Sequence, residues 1–317
     1  MTSKICLIGA GQMALDYAKV LHGLKVDFDV VGRGEKSAQG FESKFQKPVI
    51  RGGVQDYLNK RRDSPDYAIV AVSVDRLAEV TQFLIKGGCK KLLVEKPGGL
   101  NEAEIKAVAK LAGEQGSNIF IAYNRRFYAS VIEAKRRIAE DGGVSSFQFE
   151  FTEWSNVVEK LPDENVKREW LLANSTHVID MAFYLGGGPR EISSYVAGSL
   201  AWHPSGSRYA GAGISENDAL FSYSANWQAP GRWGVEILTR KNRFIFRPLE
   251  KLQVQELASV AITEASIDDR LDREFKPGLY LQTKAFLEDS NQGLLSIAQH
   301  LLKLEFYSEI AGGKKSN

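Results

Sequence analysis

Gly9-Ala10-Gly11-Gln12-Met13-Ala14 directly follows the apolar run Ile5-Cys6-Leu7-Ile8 and opens a stretch with helical spacing. This is the context of the dinucleotide pattern G-x-G-x-x-G/A. Gly9 permits a tight turn, Gly11 lets the backbone approach a pyrophosphate, and Ala14 keeps the helix close to the sheet while its N-terminus faces the anion. Gln12 and Met13, at the start of that helix, are expected beside the same cofactor. An acidic residue after the second strand, which would bind the adenosine ribose, is missing. Its place is taken by Gly32-Arg33-Gly34-Glu35-Lys36-Ser37, where Arg33, Lys36 and Ser37 can surround a 2′-phosphate. Arg33 therefore points to NADP, with NAD as the alternative if Glu35 serves the ribose. Glu95-Lys96-Pro97 ends a hydrophobic run and places a lysine at the carboxyl edge of a sheet, where ligands bind in open α/β folds and an ammonium can polarise an oxygen.

These residues need a scaffold, and the first part of the chain reads as one. Short β-branched runs at Lys4–Gly9, Phe28–Gly32, Tyr67–Val74, Lys91–Glu95 and Asn118–Tyr123, with a weaker one near Val49–Arg51, alternate with helical periodicity. That alternation predicts a doubly wound parallel sheet. After the charged helix Ala129–Asp141 and Gly142-Gly143 the grammar changes. Val144–Trp154, Glu191–Trp202, Asp218–Trp227, Gly231–Thr239 and Arg243–Arg247 follow one another without crossover helices, which predicts a large, mostly antiparallel sheet. Helices at Tyr280–Ser290 and Leu294–Gly312 precede a polar stub, Lys314-Lys315-Ser316-Asn317. The expected fold class is α/β: a Rossmann domain over residues 1–125 and an α+β domain over 126–317 for substrate binding and oligomerisation. The last helices are able to pack back on the first domain.

Composition narrows the function. Forty-one Lys and Arg against 39 Asp and Glu leave a formal charge of +2, without the basic excess that phosphate-backbone binding needs, so no nucleic-acid partner is expected. No apolar run approaches a membrane span and the N-terminus carries no targeting pattern, so a cytoplasmic protein without a membrane partner is expected. Cys6 and Cys89 support neither a disulfide scaffold nor a thiolate site. His22, His203 and His300 lack a ligand spacing with any carboxylate, so no metal is expected. Lys60-Arg61-Arg62-Asp63 and Lys135-Arg136-Arg137 read as solvated helix faces. No Gly-x-Ser-x-Gly elbow follows a strand, which disfavours a serine hydrolase.

Two further segments complete a pattern. Tyr123-Asn124-Arg125-Arg126-Phe127-Tyr128 ends the last Rossmann strand, and Ser175-Thr176-His177-Val178-Ile179-Asp180 lies far downstream. Together with the glycine fingerprint and Glu95-Lys96-Pro97 they resemble the glucose–fructose oxidoreductase/inositol dehydrogenase (Gfo/Idh/MocA) family. The resemblance spans nearly the whole chain, and in the sheet domain only the His177 segment is diagnostic. It implies a Rossmann domain followed by an open-faced domain that covers the nicotinamide and holds a sugar-like substrate. The implied reaction is hydride transfer between NAD(P) and a secondary alcohol or ketone of a sugar, sugar derivative, nucleotide-sugar or polyol. It further implies catalytic roles for Lys96 and His177, and cofactor contacts from Ser73, Glu95, Lys96, Asn124 and Arg126.

Family members often carry an Asp four residues before the histidine; here that position is Ala173, with Asn174 beside it. An amide orients a hydroxyl but cannot accept its proton as a carboxylate does, so His177 and Lys96 are expected to carry more. Trp154, Arg168 and Trp170 flank this segment and are expected, with Asn174, to stack on or hydrogen-bond a polyol ring. The family self-associates through its second sheet, and Phe147-Gln148-Phe149-Glu150-Phe151 implies an apolar face to be covered, so a homodimer or homotetramer is expected. Two other readings remain at this stage: a cofactor-sensing regulatory protein, and a reductase of a non-sugar ligand.

Overall fold

Six strands, Ile5–Ile8 (β1), Phe28–Val31 (β2), Val49–Ile50 (β3), Tyr67–Val70 (β4), Lys91–Glu95 (β5) and Asn118–Ala122 (β6), form a parallel sheet in the order β3-β2-β1-β4-β5-β6. β1 is buried along its whole length, which is why it reads as a continuous apolar run rather than an alternating one. The strand order reverses between β1 and β4, the position where open α/β sheets leave a crevice at their carboxyl edge. The computed structural model describes residues 5–60, 64–288 and 290–315, so Lys4, the Arg61–Asp63 part of the charged run and the last two residues lie outside the described residues.

The chain divides into two compact units. The first runs up to Tyr123 and takes back Leu279–Leu302; the second is Asn124–Gly278 with the residues from Lys303 onward. Sequence reading set the boundary at residue 125 and allowed the last helices to pack back on the first domain; Leu279–Leu302 joins the first unit, and the chain from Lys303 belongs to the second. The return is driven by burial: Phe286, on the helix Leu279–Leu287, is fully buried and sits edge-on to Tyr67 and Phe120 at ring separations of 5.9 and 6.3 Å. A two-residue strand, Leu295–Ser296, then pairs antiparallel with β6.

In the second unit Ser146–Glu150 (β7) lies mid-sheet. Pro189–Ala197 (β8), Arg208–Ser215 (β9) and Leu220–Asn226 (β10) stack on one side of it, while Gly234–Leu238 (β11), Asn242–Phe246 (β12), Gln253–Glu256 (β13) and Ile262–Glu264 (β14) stack on the other. The pairs are antiparallel except β7 with β10, because the chain leaves β7 through helices, starts again at the far strand β8 and meanders back. The backbone of Lys314–Lys315, expected as a stub, pairs in parallel with β8. β9 was not read from sequence. Its glycines look like loop but are demanded by packing, since a Cβ on Gly211 would fall 2.3 Å from the Tyr223 ring and one on Gly213 would fall 1.9 Å from the Glu191 carbonyl oxygen.

The apolar face of β7 is covered from within. Phe147 stacks on Phe221 and Phe149 on Tyr223, both at 5.3 Å, and Phe183 of the helix Thr176–Gly186 closes edge-on over Phe147, Phe149 and Phe221. The helix can come this close because Gly186 faces the Phe147 ring, where a Cβ would lie 2.4 Å from it. The opposite face carries Gln148, Glu150, Ser222, Ser224 and Glu236 at exposed or half-buried positions. The premise that an apolar sheet face needs a second copy of the chain is therefore corrected: its own helix buries that face. Among the described residues no helix is long and apolar enough to cross a membrane.

Candidate active site

In the first unit the glycine fingerprint forms a cradle. Gly9 adopts φ +122°, and a Cβ there would strike the carbonyl oxygen of Ala71 at 2.3 Å, so the β1 turn passes directly over the end of β4. Gly11 differs: its backbone is ordinary extended geometry, and a Cβ would meet no protein atom within 4 Å. The space above it belongs to a cavity of about 440 Å³, lined by Gly9, Gly11, Arg33, Ser37, Ser73 and Arg76 among others. Gly11 is the N-cap of the helix Gln12–Gly23 and supplies no side-chain cap, so first-turn N–H groups are left for an anion. Open space, free first-turn N–H groups at Gly11, and Arg33 and Ser37 on the same cavity wall are the features an anionic dinucleotide would need.

Between Arg33 and Ser37 in the chain, Glu35 is already engaged. It accepts from Arg51 Nη2 at 3.2 Å and from Gln39 at 2.8 Å, and the guanidinium holds its carboxyl below the usual range. Glu42 grips the same guanidinium at 2.8 Å and is held down to about 2. Arg33 and Ser37 are exposed and line the cavity. Arg76 and the glycine pair Gly52-Gly53 also line it and were missed, because neither belongs to a motif.

At the end of β5, Glu95 accepts from the buried Tyr17 hydroxyl at 2.8 Å and so ties the strand to the fingerprint helix. Burial, then Glu95, raises the Tyr17 hydroxyl well above its ordinary value. Lys96 follows, half-buried. The Pro97 carbonyl beside it contacts Nε2 of His300 at 3.0 Å, so a histidine given no role from sequence supports the lysine turn. Gln12 is exposed and donates to Asp16 at 3.0 Å; neither it nor Met13 lines the cavity.

In the second unit His177 is 7% exposed on the helix Thr176–Gly186, its ring 6.1 Å from that of Trp233. Immediately upstream, Asn174 and Ser175 donate to a carboxylate absent from the sequence reading. Glu153, just past β7, takes Ser175 Oγ at 2.7 Å, Asn174 Nδ2 at 3.1 and 3.2 Å, Trp233 Nε1 at 3.2 Å and Arg232 Nη1 at 3.3 Å. Burial pushes its carboxyl above the ordinary value despite these donors. So the segment that lacks the family's Asp at Ala173 is nevertheless anchored on a carboxylate, supplied by another element. The only sequence signal was a charged residue closing an apolar strand.

Other expected residues fall elsewhere. Arg126 is 7% exposed and forms a buried bidentate pair with Asp180 at 2.7 and 2.6 Å. Asn124 donates to the Pro277 carbonyl at 2.9 Å. Arg168 lines a separate cavity of about 520 Å³ with Leu172, His203 and Tyr307, away from the Glu153 cluster. Trp170 is half-buried, and Trp154 is 53% exposed with its Nε1 donating to the Gly231 carbonyl at 3.2 Å. Among the described residues no three His, Cys, Asp or Glu side chains gather as a metal site would.

Residues 3–123 match the model of the Gfo/Idh/MocA oxidoreductase family, described as an NAD-binding Rossmann fold, so the match lies within the first unit. Solved structures extend the likeness to the whole chain. An oxidoreductase from Desulfitobacterium hafniense described as NADPH-dependent has a TM-score of 0.79 at 16% identity, covering 98% of this chain and 94% of its own. Levoglucosan dehydrogenase, in complex with NADH and levoglucosan, has a TM-score of 0.76 at 18% identity, covering 98% and 96%. UDP-N-acetylglucosamine 3-dehydrogenase GnnA from Acidithiobacillus ferrooxidans has a TM-score of 0.72 at 13% identity, covering 97% and 96%. At these identities the likeness is one of fold. No curated protein sequence matches the chain.

Proposed function

We propose that this protein transfers hydride between a nicotinamide cofactor, preferably NADP, and a carbon bearing a hydroxyl or keto group in a sugar, sugar derivative or polyol. The observation that carries the reading is the glycine cradle: a φ +122° turn at Gly9 beside an open position at Gly11, both lining one cavity. Arg33 and Ser37 line the cavity and support NADP, while Glu35, the acid between them in sequence, is spent on Arg51. The nicotinamide ring, when bound, supplies or accepts the hydride.

The chain's residues manage the rest. His177 exchanges the proton of the reacting hydroxyl, since imidazole is the side chain that changes charge near neutral pH. Lys96, at the carboxyl edge of the first unit's sheet, offers an ammonium that can stabilise negative charge on a substrate oxygen. Glu153 fixes Asn174 and Ser175, and with them the start of the helix that carries His177. The test is a screen of NADPH absorbance at saturating NADP against sugars, inositols, sugar acids and nucleotide-sugars. The expected result is turnover of one of these classes that depends on His177 and Lys96. NADP binding without turnover of any class would favour a cofactor-sensing protein instead.

A further inference from the structure

Arg232 precedes β11 and packs against two indoles, its guanidinium carbon 4.5 Å from the Trp154 ring centroid and 4.3 Å from that of Trp233. Its side chain remains 41% exposed, so the charged fork is not sealed in. Its one carboxylate partner is Glu153 at 3.3 Å, a long contact to an acid that already accepts from Ser175, Asn174 and Trp233. A second guanidinium lies against the same indole: the Arg125 carbon is 4.8 Å from the Trp233 centroid. Among the described residues Arg125 has no carboxylate within ion-pair distance, and its Nε is buried without a hydrogen-bond partner. Burial opposes the charge of Arg125, on which Glu250 and then Glu153 act electrostatically, so the guanidinium open to a ligand is that of Arg232, which shares Glu153 with Ser175. The Arg232 guanidinium lies against the same Trp233 ring that His177 meets.

We propose that Arg232, backed by Arg125, is the receptor for an anionic group, a carboxylate or a phosphate, carried by the substrate of this site. The inference rests on the oxidoreductase reading above and narrows its substrate class from sugars in general to acidic or phosphorylated ones. Three physical reasons support it. The planar fork matches both oxyanions in bidentate geometry. Stacking on Trp154 and Trp233 holds the fork in place beforehand, so less side-chain freedom is lost on binding. Apolar indole walls lower the local dielectric and strengthen the charge contact, while a neutral sugar would leave the guanidinium partly desolvated without return.

The experiment is calorimetric titration of the full chain, saturated with NADP, with D-glucose, D-glucuronate, α-D-glucose 1-phosphate and UDP-glucose. Wild-type protein should bind glucuronate or one of the phosphate probes about 10- to 100-fold more tightly than glucose, and the arm that binds identifies the oxyanion. Arg232→Met, which keeps the stem between the indoles, should erase that preference with NADP affinity unchanged. Arg232→Lys, which keeps a cation beside Glu153, guards against misfolding and should retain part of it. Equal or absent binding of the charged probes, a preference that survives Arg232→Met, or a loss of NADP affinity in that variant would overturn the proposal. Turnover of neutral sugars indifferent to Arg232 would refute the receptor and leave the oxidoreductase reading standing. Failure of wild-type protein to bind NADP would refute that reading alone, since the charge preference is read in the same titration.

Discussion

Two glycines in one fingerprint should fail in different ways when given a side chain. In Gly9→Ala the new Cβ meets the Ala71 carbonyl oxygen at 2.3 Å and its carbon at 2.9 Å, so β1 and β4 must part by roughly an ångström. The φ of +122° adds backbone strain of about 1–3 kcal/mol, and with the clash the total loss should reach about 3–5 kcal/mol. For a cooperative unit of this size each kcal/mol lowers Tm by roughly 2–4 °C, so a fall of about 6–20 °C is expected. In Gly11→Val the backbone, at φ −84° and ψ −170°, already suits a β-branched residue, and no protein atom lies within 4 Å of the Cβ. Stability should change by no more than about 0.5 kcal/mol. The valine methyls instead fill the space where a pyrophosphate must approach. Losing two charge-assisted hydrogen bonds costs about 3–6 kcal/mol, which is a weakening of at least about 100-fold in NADP affinity. Thermal unfolding by circular dichroism and calorimetric titration with NADP separate the two effects. If Gly11→Val binds NADP as the wild type does, or unfolds as early as Gly9→Ala, the cradle argument is wrong.

Arg33→Ala should weaken NADP by about 10- to 100-fold and leave NAD nearly unchanged; equal losses for both cofactors in the same titration would remove the 2′-phosphate contact. His177→Ala should lower kcat by about 10²–10⁴-fold on the substrate found by the screen, with NADP affinity intact, and a near-normal kcat would transfer the proton to another group. Glu153 makes a pH prediction. A carboxyl whose folded pKa lies above its unfolded value of about 4.3 contributes its full stability below that value and loses it as pH rises through the folded pKa. Glu153→Gln cannot ionise, so its stability should decline less than that of the wild type above about pH 4.3. Urea unfolding at a series of pH values reads this directly, and parallel pH profiles would show that Glu153 does not titrate as its burial requires.

Local signals sufficed for the Rossmann half. Continuous apolar strands, helical spacing between them and the Gly9-to-Ala14 pattern are all encoded within a few residues of one another, so the order of elements and the place of the cofactor cradle were legible in the chain. The absence of an acid after β2 was equally local, and so was the departure at Ala173. What tertiary structure alone decided depends on partners distant in sequence. Phe286 draws Leu279–Leu302 back to the first unit because its ring needs burial against Tyr67 and Phe120. The Phe147 and Phe149 face is sealed by a helix that periodicity could place but not dock. The glycines of β9 are dictated by Tyr223 and Glu191 across the sheet, so they read as loop until the strands are paired. Glu153 looked like an ordinary strand-end acid; only folding buries it against Ser175, Asn174 and Trp233. Arg125 and Arg232 meet on one indole although no spacing in the sequence links them. Periodicity records which face of an element is apolar, whereas desolvation and charge pairing are set by what the finished fold brings against that face.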